Sequence, residues 1–174
     1  MTNRVAFRPM QISDLEQVQA IDHHSFSLPW PTSAYEFELN ENPYSLLWIA
    51  EISPQGEAPI LVGIAVVWLI LDEAHIASIA VHPDFRSQGI AKHLLATVLR
   101  EAIQKGSQLA TLEVRACNLI AQRLYQRFKF EIIGKRVRYY RDNNEDALIM
   151  TITGLGPQYL EWLDEGLWKE DGNS

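Results

Sequence analysis

Four features of the 174-residue chain combine reactive residue types at spacings that a fold could use. The first is "HPDFRSQGIAKHLL" (His82 to Leu95), where Arg86, Gly89 and Ala91 form R-x-x-G-x-A ahead of an apolar-periodic segment. A helix beginning there leaves its first N–H groups without partners and carries a partial positive charge. Gly89 and Ala91 keep that surface thin, and Arg86 and Lys92 add charge, so the stretch suits a pyrophosphate. An ordinary strand-to-helix turn explains the same residues, and the pattern is neither G-x-x-x-x-G-K-[ST] nor G-x-G-x-x-G. The second feature is Glu113, near the carboxyl end of the apolar stretch "LATLEV". It reads either as a proton acceptor or as a sheet-surface charge paired with Arg115, which alternation puts on the same face. The third is Tyr125, seven residues after Asn118; Asn118 is a good N-cap, and Tyr125 joins Ala121, Leu124 and Phe128 in a helical apolar stripe. The fourth set argues for nothing. Cys117 has no base or metal partner in view and reads as a small buried residue, and His23, His24, His75, His82 and His93 show no metal-ligand spacing.

The elements that must position these residues are legible from periodicity. "VAFRPM" (Val5 to Met10) reads as a first strand, and "SDLE" (Ser13 to Glu16) as a capping box opening a helix with Leu15, Val18 and Ile21 on one face. Pro29 and Pro31 forbid its continuation, and a short second helix starts at Thr32 or Ser33. "YSLLWIAEI", "ILVGIAVVWLIL" and "AHIASIAV" read as three strands. The helix after Gly89 carries Ile90, Leu94, Leu95, Val98, Leu99, Ala102 and Ile103 at helical spacing and stops at Gly106. The strand "LATLEV", a helix from about Asn118 to Phe128, and the strands "FEIIGKRVRYY" and "DALIMTIT" around "RDNNE" follow. Strand, helix, strand, helix in the middle predicts a parallel pair inside a mixed sheet, and so an α/β sandwich. The tail "GLGPQYLEWLDEGLWKEDGNS" (154–174) reads as a short amphipathic helix, docked on its own domain or meeting a partner.

Composition bounds the rest. The length favours one domain, assigned to 1–153 with 154–174 as an acidic tail. No apolar run reaches the ~18 residues of a spanning helix, and no leader is evident, so neither a membrane nor secretion is expected. A single cysteine excludes an internal disulfide and fits a cytoplasmic location. The net charge of −7 argues against direct nucleic-acid binding, yet it is unevenly spread. Pro9 to Phe85 holds eleven acids and no Lys or Arg; Arg86 to Arg141 holds twelve Lys and Arg against three acids. Such a chain suits an anionic ligand with one half and a cationic one with the other.

The succession "IASIAVHPDFRSQGIAKHLL", "LEVRACNLIAQRLYQRFKF", "YYRDNNEDALIM" resembles the GNAT acetyltransferases, and among them the bacterial RimI-type enzymes that acetylate the N-terminal alanine of a ribosomal protein. The resemblance spans about Val5 to Thr153. It implies a three-layer GNAT-like sandwich: a mixed, mostly antiparallel sheet with a splayed parallel central pair and helices on both faces. It implies acetyl-CoA as co-substrate and no metal. The pantetheine arm would meet the backbone of Ile79, Ala80 and Val81, and the pyrophosphate Arg86, Ser87, Gln88, Gly89, Ile90, Ala91 and Lys92, with Asn118 also on the cofactor side. Glu113 would be the base that takes the proton of an α-amine, and Tyr125 the acid that protonates the departing thiolate. Phe26, Leu28, Pro29 and Trp30, with Tyr139 and Tyr140, would clamp the N-terminus of a peptide or of a basic ribosomal protein. Glu145 and Asp146 match the subgroup's "EDA". The alternatives are an acetyltransferase for small amines or Lys side chains, and a CoA-binding sensor without turnover. The family usually has Gly-Phe where this chain has Lys129–Phe130, which predicts a different helix exit. Oligomeric state is not encoded in any of these patterns.

Overall fold

The computed structural model describes residues 4–54 and 56–169. Seven strands and five α-helices follow one another along the described residues: β1 (Val5–Pro9), α1 (Leu15–Ser25), α2 (Thr32–Asn40), β2 (Ser45–Ile52), β3 (Ile60–Ile70), β4 (Glu73–Val81), α3 (Ile90–Gln104), β5 (Leu109–Arg115), α4 (Leu119–Arg127), β6 (Glu131–Tyr140), β7 (Glu145–Thr153) and α5 (Pro157–Glu165). The strands form one mixed sheet in the order β1-β2-β3-β4-β5-β7-β6. The parallel ladder of β4 and β5 covers three residue pairs, Glu73–His75 with Leu109–Thr111. This is the expected α/β class. The chain divides into two compact units, one of Met1–Trp68 with Ser78–Val98, the other of Leu69–Ala77 with Leu99–Ser174.

In the first unit, β1, β2 and β3 form an antiparallel meander with a bulge at Ala50/Glu51. Leu61 to Val67 are buried at consecutive positions of β3, which requires cover on both faces of that strand. One cover is α3: a Cβ on Gly63 would lie 2.9 Å from Leu94 Cδ1 and 3.1 Å from Ile90 Cγ2, so the helix sits directly on the β3 backbone. The opening of α1 differs from the expected Ser13 capping box. A short 3₁₀ turn, Ile12–Asp14, precedes the helix, and Asp14, not Ser13, takes the Gln11 N–H at 2.7 Å. The Arg8 guanidinium bonds both Asp14 oxygens at 2.8 and 2.9 Å and also Glu51 at 2.8 Å, which holds the Asp14 carboxyl below its usual range. The second helix begins at Thr32 after Pro31, without a side-chain cap.

In the second unit, β5 pairs with β7 and β7 with β6, both antiparallel. Ala110, Leu112 and Val114 of β5 face the core, whereas Thr111, Glu113 and Arg115 are half-buried on the other face. β6 is the edge strand and largely exposed. The tail folds back onto this unit. The Tyr159 hydroxyl donates to the Phe128 carbonyl at 2.9 Å, Trp162 and Trp168 meet the Phe128 ring at 5.9 and 5.6 Å, and Arg100 pairs with Asp164 at 2.8 Å. Residues 170–174 of the tail lie outside the described residues.

Candidate active site

The residues of the first unit expected on the cofactor side begin at the end of β4. Ile79 is half-buried and Ala80 and Val81 are buried, and the Val81 carbonyl accepts from Arg86 Nε at 3.0 Å. That bond pins the arginine side chain to the strand end. A 3₁₀ turn, Pro83–Phe85, leads into the loop, where Ser87 (φ 61°) and Gly89 (φ 80°) are both left-handed. Gly89 is needed for this backbone angle and not for space, because a Cβ there would make ordinary contacts, with Lys92 Cε at 3.5 Å and the His93 ring at 3.9 Å. The Gly89 carbonyl receives the His93 N–H at 3.2 Å, which makes Gly89 the residue before the first helical turn. Ile90, Ala91 and Lys92 thus occupy that turn, whose N–H groups have no intrahelical acceptor. The side chain of Ile90 belongs to the core and touches the β3 backbone, so only its N–H is available to a ligand. Gln88 and Ile90 line, with Val5, Phe7 and His93, a cavity of about 270 Å³.

The loop between α1 and α2 is also in this unit. Phe26 and Leu28 are exposed at 37% and 64%, while Pro29 and Trp30 are half-buried. Trp30 stacks on Trp68 at 5.8 Å and tilts against Tyr35 at 5.3 Å. Sequence reasoning missed the residue that holds the loop. Asp22, 1% exposed, accepts from Trp30 N at 2.6 Å and from the Tyr35 hydroxyl at 3.0 Å. Burial pushes its carboxyl up, and those two bonds pull it back down. An Asp on the buried face of a helix, beside Ile21, was the available signal.

The second unit gathers Glu113, Tyr125 and Tyr140. Glu113 does not pair with Arg115. Its Oε2 lies 3.1 Å from His75 Nε2 and its Oε1 3.2 Å from Arg136 Nε. Arg115 instead reaches the β6–β7 hairpin, 2.8 Å from Asp142 and 3.2 Å from Glu145, and covers the Tyr140 ring at 3.9 Å. Alternation did put both side chains on one face; the hairpin acids, closer to the strand end, claimed the arginine. Burial pushes Tyr140 up to about 12, Arg115 pulling it down and Tyr139, Glu113 and Glu145 pushing it up. Tyr125, 8% exposed, is raised by burial and by Tyr140, so it remains a phenol. A left-handed Arg138 (φ 52°) and a register shift between Arg136 and Tyr140 interrupt the ladder just before the two adjacent tyrosines. Their rings meet edge-on at 5.2 Å. Asp146 takes the Arg138 N–H at 2.8 Å and pairs with Lys135, and Glu145 takes the Cys117 N–H at 2.8 Å, so both acids build the hairpin.

Asn118 caps α4, its Oδ1 accepting from Ala121 N at 3.1 Å. The far end of α4 corrects the expected change of exit. Lys129 adopts φ 66°, the conformation a glycine would take. Phe130 N donates to Tyr125 O at 3.1 Å and Lys129 N to Gln126 O at 2.9 Å, and the Tyr125 and Phe130 rings lie 5.9 Å apart. These bonds and that contact form a Schellman motif, which fixes the backbone of Tyr125. Cys117 is exposed rather than buried. Glu145 pushes its thiol up, which disfavours the thiolate a nucleophile needs. Among the described residues, no group of three or more His, Cys, Asp and Glu could hold a metal ion, and no helix is long and apolar enough to cross a membrane. A larger cavity, about 410 Å³ among Lys129, Glu131, Thr151, Thr153, Gln158 and Tyr159, includes none of the expected site residues.

A Bacillus subtilis (strain 168) protein, provisionally named a ribosomal protein bS18-alanine N-acetyltransferase, is 36% identical over 153 residues, 88% of this chain and 98% of that one. The crystal structure of the Escherichia coli ribosomal-protein-S18-alanine N-acetyltransferase superposes with a TM-score of 0.74 at 28% identity, over 86% of this chain and 94% of that one. Arabidopsis thaliana NAA60, solved in complex with acetyl-CoA, shares the fold with a TM-score of 0.78 at 22% identity, over 86% and 99%. Residues 15–130 match the model of the acetyltransferase (GNAT) family, and with that match the chain belongs to the GNAT acetyltransferases.

Proposed function

We propose that this chain transfers the acetyl group of acetyl-CoA directly to the N-terminal α-amine of a protein, its target being the N-terminal alanine of a ribosomal protein in the cytoplasm. The observation that carries the reading is the half-buried Glu113 on one face of β5, held beside His75 and Arg136, in the same unit as half-buried Tyr140 and buried Tyr125, both of which stay neutral phenols. An α-amine with an ordinary pKa near ~8 is mostly protonated at neutral pH and cannot attack. Glu113 takes that proton. Tyr125 keeps its own proton throughout the range in which the amine reacts and delivers it to the departing sulfur. The dry surroundings that weaken the phenol as an acid also raise the basicity of a thiolate beside it, so donor and acceptor stay matched. The thioester itself supplies the activated acyl group. With Cys117 exposed and held as a thiol, no acyl-enzyme is needed.

The residues present fit the co-substrate. The left-handed pair Ser87 and Gly89 turns the loop into the first turn of α3, and Arg86 is anchored beside it. In our reading Arg86, Ser87, Gln88, Gly89, Ile90, Ala91 and Lys92 hold the pyrophosphate, chiefly through backbone N–H groups. Ile79, Ala80 and Val81 offer backbone to the pantetheine amides, and Asn118 adds to the cofactor side. Exposed Phe26 and Leu28, the Pro29–Trp30 anchor behind them, and Tyr139 with Tyr140 take the peptide. Mass spectrometry after incubation with acetyl-CoA and peptides of varied first residue, each carrying an internal Lys and run beside an N-terminally blocked copy, tests this. Acetyl on the α-amine of Ala-starting peptides and none on blocked copies is expected. Acetyl on Lys, or on no peptide, overturns it.

A further inference from the structure

Gln122 is a buried amide to which the reaction above gives no task. It stands on α4 one turn before Tyr125, and these two are the buried residues of that helix. An apolar side chain would pack there at less cost, because burying an amide is unfavourable unless its hydrogen bonds are made. They are made, and to two consecutive carbonyls: Nε2 donates to Arg115 O at 3.1 Å and to Ala116 O at 2.9 Å. Those carbonyls lie where β5 ends. Arg115 is the last β5 residue paired with β7, opposite Ala147, and Ala116 gives its N–H to Asp146 O at 3.1 Å. The chain then runs into α4 through residues 117–120, all of them exposed. Packing therefore does not fix how the helix leaves the strand, and the Gln122 amide ties the two together.

The chemistry gives that tie a use. Glu113 lies two residues before Arg115 on β5, and Tyr125 three residues after Gln122 on α4. We propose that Gln122 sets the place of Tyr125 relative to Glu113, by binding the helix of one to the end of the strand that carries the other. This rests on the reading of Glu113 as base and Tyr125 as acid. In that reading one group removes a proton from the amine and the other delivers a proton to the sulfur, on either side of a single reacting carbon. A misplacement of about 1 Å costs such a reaction about 100-fold in rate. Groups on separate elements keep their spacing only where the elements are fastened. The Schellman bonds fasten α4 at its far end, through Tyr125 O, and Gln122 fastens it to β5. Gln122 exchanges no proton and is a positioning residue.

The test is a double-mutant cycle in steady-state kinetics of the full chain on an Ala-starting peptide, with Gln122→Met, Tyr125→Phe and the double variant. Met is close to Gln in size and helix propensity but donates no hydrogen bond. Gln122→Met is expected to lower kcat about 10-fold, with both KM values within about twofold of wild type. In the Tyr125→Phe background no acid remains to be placed, and the same change is expected to lower kcat by less than about twofold. A loss of folded enzyme removes the same fraction of activity in either background. Equal drops in both therefore overturn the positioning role alone, as does wild-type kcat in Gln122→Met. If Gln122→Met does not fold, Gln122→Asn, whose amide is one carbon too short for both carbonyls, is taken through the same cycle. A wild-type chain that acetylates no α-amine, or wild-type kcat in Tyr125→Phe, overturns the reading beneath the proposal, and the proposal with it.

Discussion

Asp22, buried among the apolar residues of α1, and Glu113, on the polar face of β5, sit in opposite surroundings. Asp22 satisfies two buried donors, Trp30 N–H and the Tyr35 hydroxyl, at 2.6 and 3.0 Å. Asp22→Ala orphans both, and a chemical-denaturation midpoint is expected to report a loss of about 2–4 kcal/mol. Asp22→Asn keeps an acceptor for Trp30 and removes a carboxyl whose ionisation burial disfavours, so its cost is expected to stay below about 1 kcal/mol at neutral pH. Glu113 has ionisable neighbours and partial access to water instead. Glu113→Gln is expected to leave the thermal midpoint within a few degrees of wild type while lowering kcat at least about 100-fold.

The exit of α4 is an element-scale choice. Lys129 holds a left-handed backbone that costs an L-residue about 1–2 kcal/mol relative to glycine. Its ammonium lies 4.5 Å from the Trp162 ring centroid of α5, a contact worth about 0.5–1 kcal/mol when exposed. The substitution thus exchanges backbone ease for a tie to the tail helix. Lys129→Ala loses the tie and keeps the strain; Lys129→Gly loses the tie and the strain. The Gly variant is expected to be more stable than the Ala variant by about 1 kcal/mol in urea unfolding. Equal midpoints would mean that the left-handed angle carries no cost. At the opening of α3, Gly89→Ala forces the same angle on an L-residue. Calorimetric titration with CoA is expected to find weaker binding by several-fold.

At the scale of the whole molecule, charge decides the response to pH and salt. Arg8 holds Asp14 below the usual carboxylate range, Glu145 is lowered to about 2 chiefly by Cys117, and Asp146 is lowered chiefly by the Arg138 N–H. A depressed carboxyl contributes stability that is complete above its unfolded value of about 4 and is lost as pH falls through its folded value. Asp22, raised by burial, has the opposite sign and favours lower pH. Three groups against one predict a urea midpoint lower near pH 3 than near pH 6. Asp14→Asn is expected to flatten that slope; an unchanged slope would remove the Arg8 pair from the account. The surplus of cations from Arg86 to Arg141 predicts that KM for acetyl-CoA rises several-fold from about 0.05 to 0.5 M salt while kcat holds.

Periodicity and turn chemistry determined most of the elements. Alternation assigned β5 its two faces, and the apolar repeat and Gly106 bounded α3. These are short-range effects of sterics and hydrogen bonding, written in residues within a turn or two of one another. What tertiary structure decided was the choice among partners of equal local merit. Asp14 opens α1 in place of Ser13 because Arg8 comes from β1 to hold it. Arg115 leaves Glu113 for Asp142 and Glu145, and Glu113 finds His75 and Arg136, from strands that lie on either side of β5 in the sheet order. Lys129 takes a glycine-like left-handed exit without a glycine, held by the bond of Phe130 to Tyr125 and by Trp162 from the tail. A sequence states which residues can ionise, donate or turn. Which of them meet depends on strand order and register, because partners dozens of residues apart become neighbours only once the sheet has formed.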